Sequence, residues 1–109
     1  LKLPDGITRE AYIRQHMTVH QGKGLGYAAS TPEELHFIAT LAVETGVVLD
    51  PVYSGKALYQ FFTNELQNQE NAEKYRGKNI LFWHTGGALG LYDKADSLLS
   101  VIGGTAPVK

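Results

Sequence analysis

Asn79-Ile80-Leu81-Phe82-Trp83-His84-Thr85-Gly86-Gly87 decides how this chain is read. A strand with one face in water alternates apolar with polar residues. Ile80 to Trp83 is apolar at every position, the pattern of a parallel strand covered on both faces by helices. The run stops at Thr85-Gly86-Gly87, and a short helix is expected from Ala88 to about Leu99. Upstream, Val47-Val48-Leu49 reads as a second short buried strand, broken at Asp50-Pro51. Between the two strands a helix starts near Ser54 and sets Leu58, Phe61, Phe62 and Leu66 on one face. Phe61 and Phe62 at that spacing are expected in the core. Asn71 to Lys78 reads as a polar loop.

Ahead of Val47 the signals are those of a helix. Ser30 or Thr31 can cap it, Pro32 suits its first turn, and Glu33-Glu34 favour the positive end of the dipole. Leu35, Ile38, Leu41 and Ala42 recur at helical spacing, and Gly46 supplies a left-handed stop. Thr8 to about His20 tolerates a helix with a poor apolar stripe, so residues 1–21 are read as a connector or helix. Gly22-Lys23-Gly24-Leu25-Gly26 is too rich in glycine for either regular element. Residues 100–109 read as a tail. Strand and helix in alternation indicate α/β. Two or three strands are too few for a complete open sheet, and the chain begins at Leu1, so it is expected to be a fragment.

Composition narrows the function. The 109 residues suit one small domain; 43% are apolar and 19% charged, an ordinary globular balance. Ten basic against 11 acidic residues leave a formal charge of −1, without the basic excess of a nucleic-acid binder. No apolar run approaches the roughly 18 residues of a membrane span. The chain has no cysteine, which excludes disulfide staples and thiolate zinc sites.

In open α/β sheets ligands gather beyond the carboxyl ends of strands. Two such places carry hydroxyls and glycines, Asp50-Pro51-Val52-Tyr53-Ser54-Gly55-Lys56 and His84-Thr85-Gly86-Gly87. Cap-and-turn chemistry accounts for both equally well in isolation. Other arrangements are weaker. His16 and His20 lie four apart but lack a third metal ligand. Asp50, Ser54 and His84 are the residue types of a hydrolase triad, without the Gly-x-Ser-x-Gly elbow. Gly22-x-Gly24-x-Gly26 follows no strand and lacks the third-glycine spacing of a dinucleotide loop. Lys56, one turn into a helix, is expected to be solvated or to answer the dipole.

Three motifs in order carry a resemblance: Gly24-Leu25-Gly26-Tyr27, Asp50 to Ala57, and Ile80 to Gly87. From about Gly22 to Asp93 the chain resembles the 1-aminocyclopropane-1-carboxylate deaminase/D-cysteine desulfhydrase family. That family belongs to the tryptophan-synthase-β-like (fold type II) pyridoxal-phosphate enzymes. The resemblance implies an open twisted sheet flanked by helices, with residues 1–109 forming the C-terminal part of the large cofactor-binding domain. It implies a small amino-acid substrate, a homodimer at full length, and a bacterial cytoplasmic or plant organellar setting, for example mitochondrial.

Site roles follow from the resemblance as well. Tyr53 and Tyr27 match the two active-site tyrosines that contact substrate and assist proton movement. Ser54 and Thr85 match positions beside the cofactor ring where desulfhydrases carry small hydroxyl residues and deaminases carry Glu and Leu. Thr85 is the expected partner of the pyridine nitrogen. The Schiff-base lysine for pyridoxal 5′-phosphate is expected upstream of this chain, and Lys56 does not sit in its context. A carboxylate beside the pyridine nitrogen makes a strong electron sink, and a neutral hydroxyl makes a weaker one. Thiolate loss from the β-carbon needs less than cyclopropane opening. The expected reaction is therefore α,β-elimination from D-cysteine. The alternatives are 1-aminocyclopropane-1-carboxylate deamination and a non-catalytic truncated remnant.

Overall fold

The computed structural model describes residues 2–102. Helix α1 spans Arg9–His16 and is capped by Thr8, whose Oγ1 accepts the Ala11 N–H at 3.2 Å. The expected helix to His20 is cut short at Met17, which is extended. No residue of α1 is buried, so nothing offsets the entry of β-branched Thr18 and Val19.

Helix α2, Pro32–Thr45, carries a complete capping box. Thr31 Oγ1 accepts the Glu34 N–H at 3.1 Å, and Glu34 Oε2 accepts the Thr31 N–H at 3.0 Å. Gly46 closes it at φ +75°, donating to the Ala42 carbonyl. Of the expected inward face Leu35 and Ile38 are buried and Leu41 and Ala42 half-buried, and Ala39, not expected there, is buried as well. Helix α3, Ser54–Phe61, packs against α2 and passes directly into a π-helical turn, Phe62–Leu66. Phe61 is half-buried and Phe62 exposed, so neither joins the core as expected.

The polar loop expected from Asn71 contains the end of a one-turn helix α4, Gln69–Ala72, and a 3₁₀ turn, Glu73–Tyr75. Asn68 caps α4 by accepting the Glu70 and Asn71 N–H groups. The last expected helix is a 3₁₀ segment, Ala88–Lys94, followed by α5, Ala95–Val101, which packs on α2. Most of the expected tail, residues 103–109, lies outside the described residues.

The sheet differs from expectation. Residues 47–49 and 79–84 run without helix, and no strand ladder forms among the described residues. A ladder needs a neighbour in register, and these two segments meet through a side chain instead. Leu49 is fully buried, but Val47 and Val48, expected to be buried with it, are exposed, as are Ile80, Leu81, Phe82 and Trp83. The covering layers implied by their pattern are not supplied by the described residues.

The radius of gyration is 17.5 Å, against about 13 Å for a compact domain of about 100 residues. The core is correspondingly small: Leu35, Ile38, Ala39, Leu49 and Leu98. It lies where α2, α3 and α5 meet, and the loops preceding α2 and α3 are fastened to its edge.

Candidate active site

Asp50 organises the turn that launches α3. Its Oδ2 accepts the Val52 and Tyr53 N–H groups at 2.8 and 2.6 Å, and its Oδ1 accepts the Ser54 N–H at 2.9 Å. Ser54 Oγ donates to Oδ1 and accepts the Asp50 N–H at 3.0 Å. Burial works to raise the Asp50 carboxyl. Hydrogen bonds from the Ser54 side chain and from the Ser54, Tyr53 and Val52 backbone outweigh it and hold the group below its ordinary value. The Ser54 hydroxyl proton is therefore committed to Asp50.

The turn delivers Tyr53 to the surface. Its ring lies 5.8 Å from that of Tyr27, tilted by 59°. Both are open to solvent, Tyr27 at 78% and Tyr53 at 63% exposure. The Tyr27 phenol, then partial burial, then the Asp50 charge push the Tyr53 hydroxyl above its ordinary value, so Tyr53 keeps its proton at neutral pH. Tyr27 stands in a loop of left-handed residues, with Gly24 at φ +56°, Gly26 at +122° and Ala28 at +54°. A non-glycine residue there is strained, and it directly follows the tyrosine.

The Gly86-Gly87 turn lies against the Asp50 turn. A Cβ on Gly87 would stand 3.0 Å from Asp50 Oδ1, and one on Gly90 3.7 Å from Asp50 Cβ. His84 Nε2 is 2.8 Å from the Val48 carbonyl, and its Nδ1 accepts the Gly86 N–H at 3.0 Å. With both nitrogens held by backbone, His84 does not relay protons to Ser54, which removes the triad geometry. Thr85, between these anchors, is exposed. The structure thus brings Tyr27 beside Tyr53 and sets the Thr85 turn against Asp50, while Ser54 is turned inward at 5% exposure.

Two groupings were not anticipated. Lys56 is not solvated: it is 3% exposed, and its Nζ is 3.0 Å from Oε2 of Glu34, itself 1% exposed. The Thr31-x-x-Glu34 spacing signals the capping box, but nothing local signals its partner 22 residues on. Glu65 is buried between His20, at 3.3 Å, and the Tyr75 hydroxyl, which donates to it at 3.0 Å. His16 Nδ1 instead reaches the Tyr12 carbonyl, so the two histidines serve different partners.

Comparison with known proteins then settles the ancestry. The chain is 48% identical over 101 residues to the bifunctional D-cysteine desulfhydrase/1-aminocyclopropane-1-carboxylate deaminase, mitochondrial, of Arabidopsis thaliana, covering 93% of this chain. These residues are a stretch of the D-cysteine desulfhydrase/1-aminocyclopropane-1-carboxylate deaminase family. A D-cysteine desulfhydrase of Serratia proteamaculans is 42% identical over 67 residues, 61% of this chain and 19% of its own length. A Thermotoga maritima protein provisionally named 1-aminocyclopropane-1-carboxylate deaminase is 36% identical over 77 residues, 71% of this chain and 22% of its own length. The chain spans about a quarter of the Arabidopsis relative, 24%. No family model and no solved structure matches it. The relatives are named as enzymes of the lyase type.

Proposed function

We propose that this chain is the C-terminal, ring-side wall of a pyridoxal-phosphate-dependent lyase that converts D-cysteine and water to pyruvate, ammonia and hydrogen sulfide. The observation that carries the reading is the Tyr27–Tyr53 pair, with Tyr53 borne by the same Asp50 turn against which the Gly87 turn, next to the exposed neutral hydroxyl of Thr85, is set. The names of the Arabidopsis and Serratia relatives support the substrate.

The residues present fit the cofactor. Thr85 offers an exposed hydroxyl at a glycine turn, where backbone can approach a flat ring closely. The group supplies an electron sink for the α-carbon of the substrate. Thr85 would hydrogen-bond the pyridine nitrogen without stabilising its protonated form as a carboxylate does. Ser54, turned inward with its hydroxyl shared with Asp50, braces the turn and would stand behind it as a neutral residue on the ring's side. Tyr53 keeps its proton at neutral pH and is suited to donate to the substrate or the departing sulfur. Tyr27 faces it and holds that proton in place. Lys56 is sequestered by Glu34, and the resemblance puts the Schiff-base lysine in a segment of a longer protein upstream of these residues. That protein would form a homodimer, and the name of the Arabidopsis relative supports a mitochondrial setting. No helix among the described residues is long and apolar enough to cross a membrane.

The test is turnover of both substrates by the full-length protein, with and without Ser54→Glu and Thr85→Leu. D-cysteine should be preferred by the natural sequence, and the double variant should shift preference toward 1-aminocyclopropane-1-carboxylate. Preferential opening of the cyclopropane by the natural sequence would overturn the assignment in favour of the deaminase. Absence of both activities would leave the non-catalytic remnant.

A further inference from the structure

Glu34 and Lys56, buried to 1% and 3% exposure, have no part in the reaction proposed above. Glu34 Oε2 accepts at once from Lys56 Nζ and from the Thr31 N–H, each at 3.0 Å, and Gln60 Nε2 approaches Oε1 at 3.5 Å. The carboxylate thus joins the start of α2 to the first turn of α3. Gly24 is seated on this pair. A Cβ there would stand 3.2 Å from Lys56 Nζ and would collide with Glu34 Oε1. At the other end of the same loop, Ser30 Oγ donates to the Pro51 carbonyl at 3.2 Å. Tyr27 lies between these two fastenings. Tyr53 lies one residue before α3, with its carbonyl accepting the Ala57 N–H.

We propose that Glu34 and Lys56 are positioning residues, their buried ion pair acting with Gly24 as a clamp that fixes the Tyr27 loop against Tyr53. The catalytic meaning of the clamp rests on the functional reading above; its geometry does not. A pair kept only for stability would be a poor choice, because burying two charges costs about as much as their attraction returns. Its direction and its donor count, by contrast, define where two separate segments sit.

The experiment is a spectrophotometric tyrosinate titration of the protein, with the Tyr53 signal isolated by subtracting Tyr53→Phe versions. The key variant is Glu34→Gln with Lys56→Met. It removes both charges together, keeps the volumes, and leaves an oxygen for the Thr31 cap. The Tyr53 midpoint should fall to the value found in Tyr27→Phe, since the two phenols would no longer face each other. A folded double variant that titrates as the natural sequence does would overturn the clamp. Should it fail to fold, Gly24→Ala displaces the same loop while keeping both charged side chains, because its Cβ must push away from them. The Tyr53 midpoint must drop there too, and an unchanged midpoint refutes the proposal. In the full-length protein the double variant should lose about 10²-fold in kcat, the cost of roughly 1 Å of misplacement, with KM little changed. If the natural protein has no D-cysteine activity while the titrations behave as stated, the functional reading falls and the clamp stands.

Discussion

Gly55→Ala tests the packing that presents Tyr53. Gly55 is the second residue of α3, and its φ is not among the left-handed ones, so alanine suits the backbone. The objection is space. The new Cβ would lie 2.5 Å from the Asp50 carbonyl oxygen and 2.7 Å from Ile38 Cγ1, with Ile38 Cδ1 nearer still. Contacts of this kind are comfortable at about 3.5–4.0 Å, so α3 must move by about 1 Å or more. Ile38 can rotate, but the Asp50 carbonyl is backbone and already accepts the Gly55 N–H at 2.8 Å. Overpacking costs about 1–3 kcal/mol, and a backbone clash belongs at the top of that range. Loss of the hydrogen bond adds about 1 kcal/mol, and the helix preference for alanine returns about 0.5–1 kcal/mol. A net loss of about 3 kcal/mol corresponds to a midpoint lower by about 12–24 °C for a chain of this size. Thermal unfolding followed by circular dichroism reads it directly. In a double-mutant cycle, Ile38→Val should cost less in the alanine background than its usual ~0.5–1.5 kcal/mol, because it removes one colliding methyl. A midpoint equal to or above that of the natural chain, or strict additivity with Ile38→Val, would refute the close approach.

Two further expectations concern pH. The Asp50 carboxyl is held below its ordinary value, so it contributes stability above about pH 3.9 that is lost as pH falls through the depressed folded value. Asp50→Asn should flatten this acid limb in urea unfolding series, and an acid limb identical to that of the natural chain would contradict the hydrogen-bond account. Tyr75 is raised by burial first and then by its bond to Glu65 and that carboxylate's charge. Its contribution is present below about pH 10 and lost as pH climbs through the raised value. Glu65→Gln should bring the Tyr75 midpoint part of the way down in an absorbance titration, leaving the share due to burial; no movement would count against the contact.

The helices were the legible part of the sequence. Thr31, Pro32, Glu34 and Gly46 mark the ends of α2 by local chemistry, and the structure places every one of those signals in use. The sheet was legible only as hydrophobic pattern. Val47 to Leu49 and Ile80 to Trp83 have the composition of covered strands, but pairing depends on neighbours that composition does not supply. At the site, the turn from Asp50 into α3 was legible because a helix start is a local event, whereas the roles of Tyr53, Ser54 and Thr85 came from the resemblance alone. Ser54 shows the limit of that reading. A hydroxyl four residues after Asp50 has a local partner to satisfy before any ligand, and that spacing was visible. Lys56 shows a deeper one, since its partner enters from a different helix and only the folded chain brings them together. The π-helical turn that helps bury Glu65 left no signal in residue type.

His84 has a consequence that reaches beyond its own ring. Because Nδ1 receives the Gly86 N–H, that nitrogen is an acceptor, and the ring hydrogen must sit on Nε2, directed at the Val48 carbonyl. The imidazole therefore takes in a hydrogen bond on one side and passes one out on the other, with the polarity of a single ladder rung. It joins two non-helical segments between which no ladder forms among the described residues. An imidazolium would present a donor to a donor at Gly86. The join between the two segments is thus wired for one tautomer of one residue.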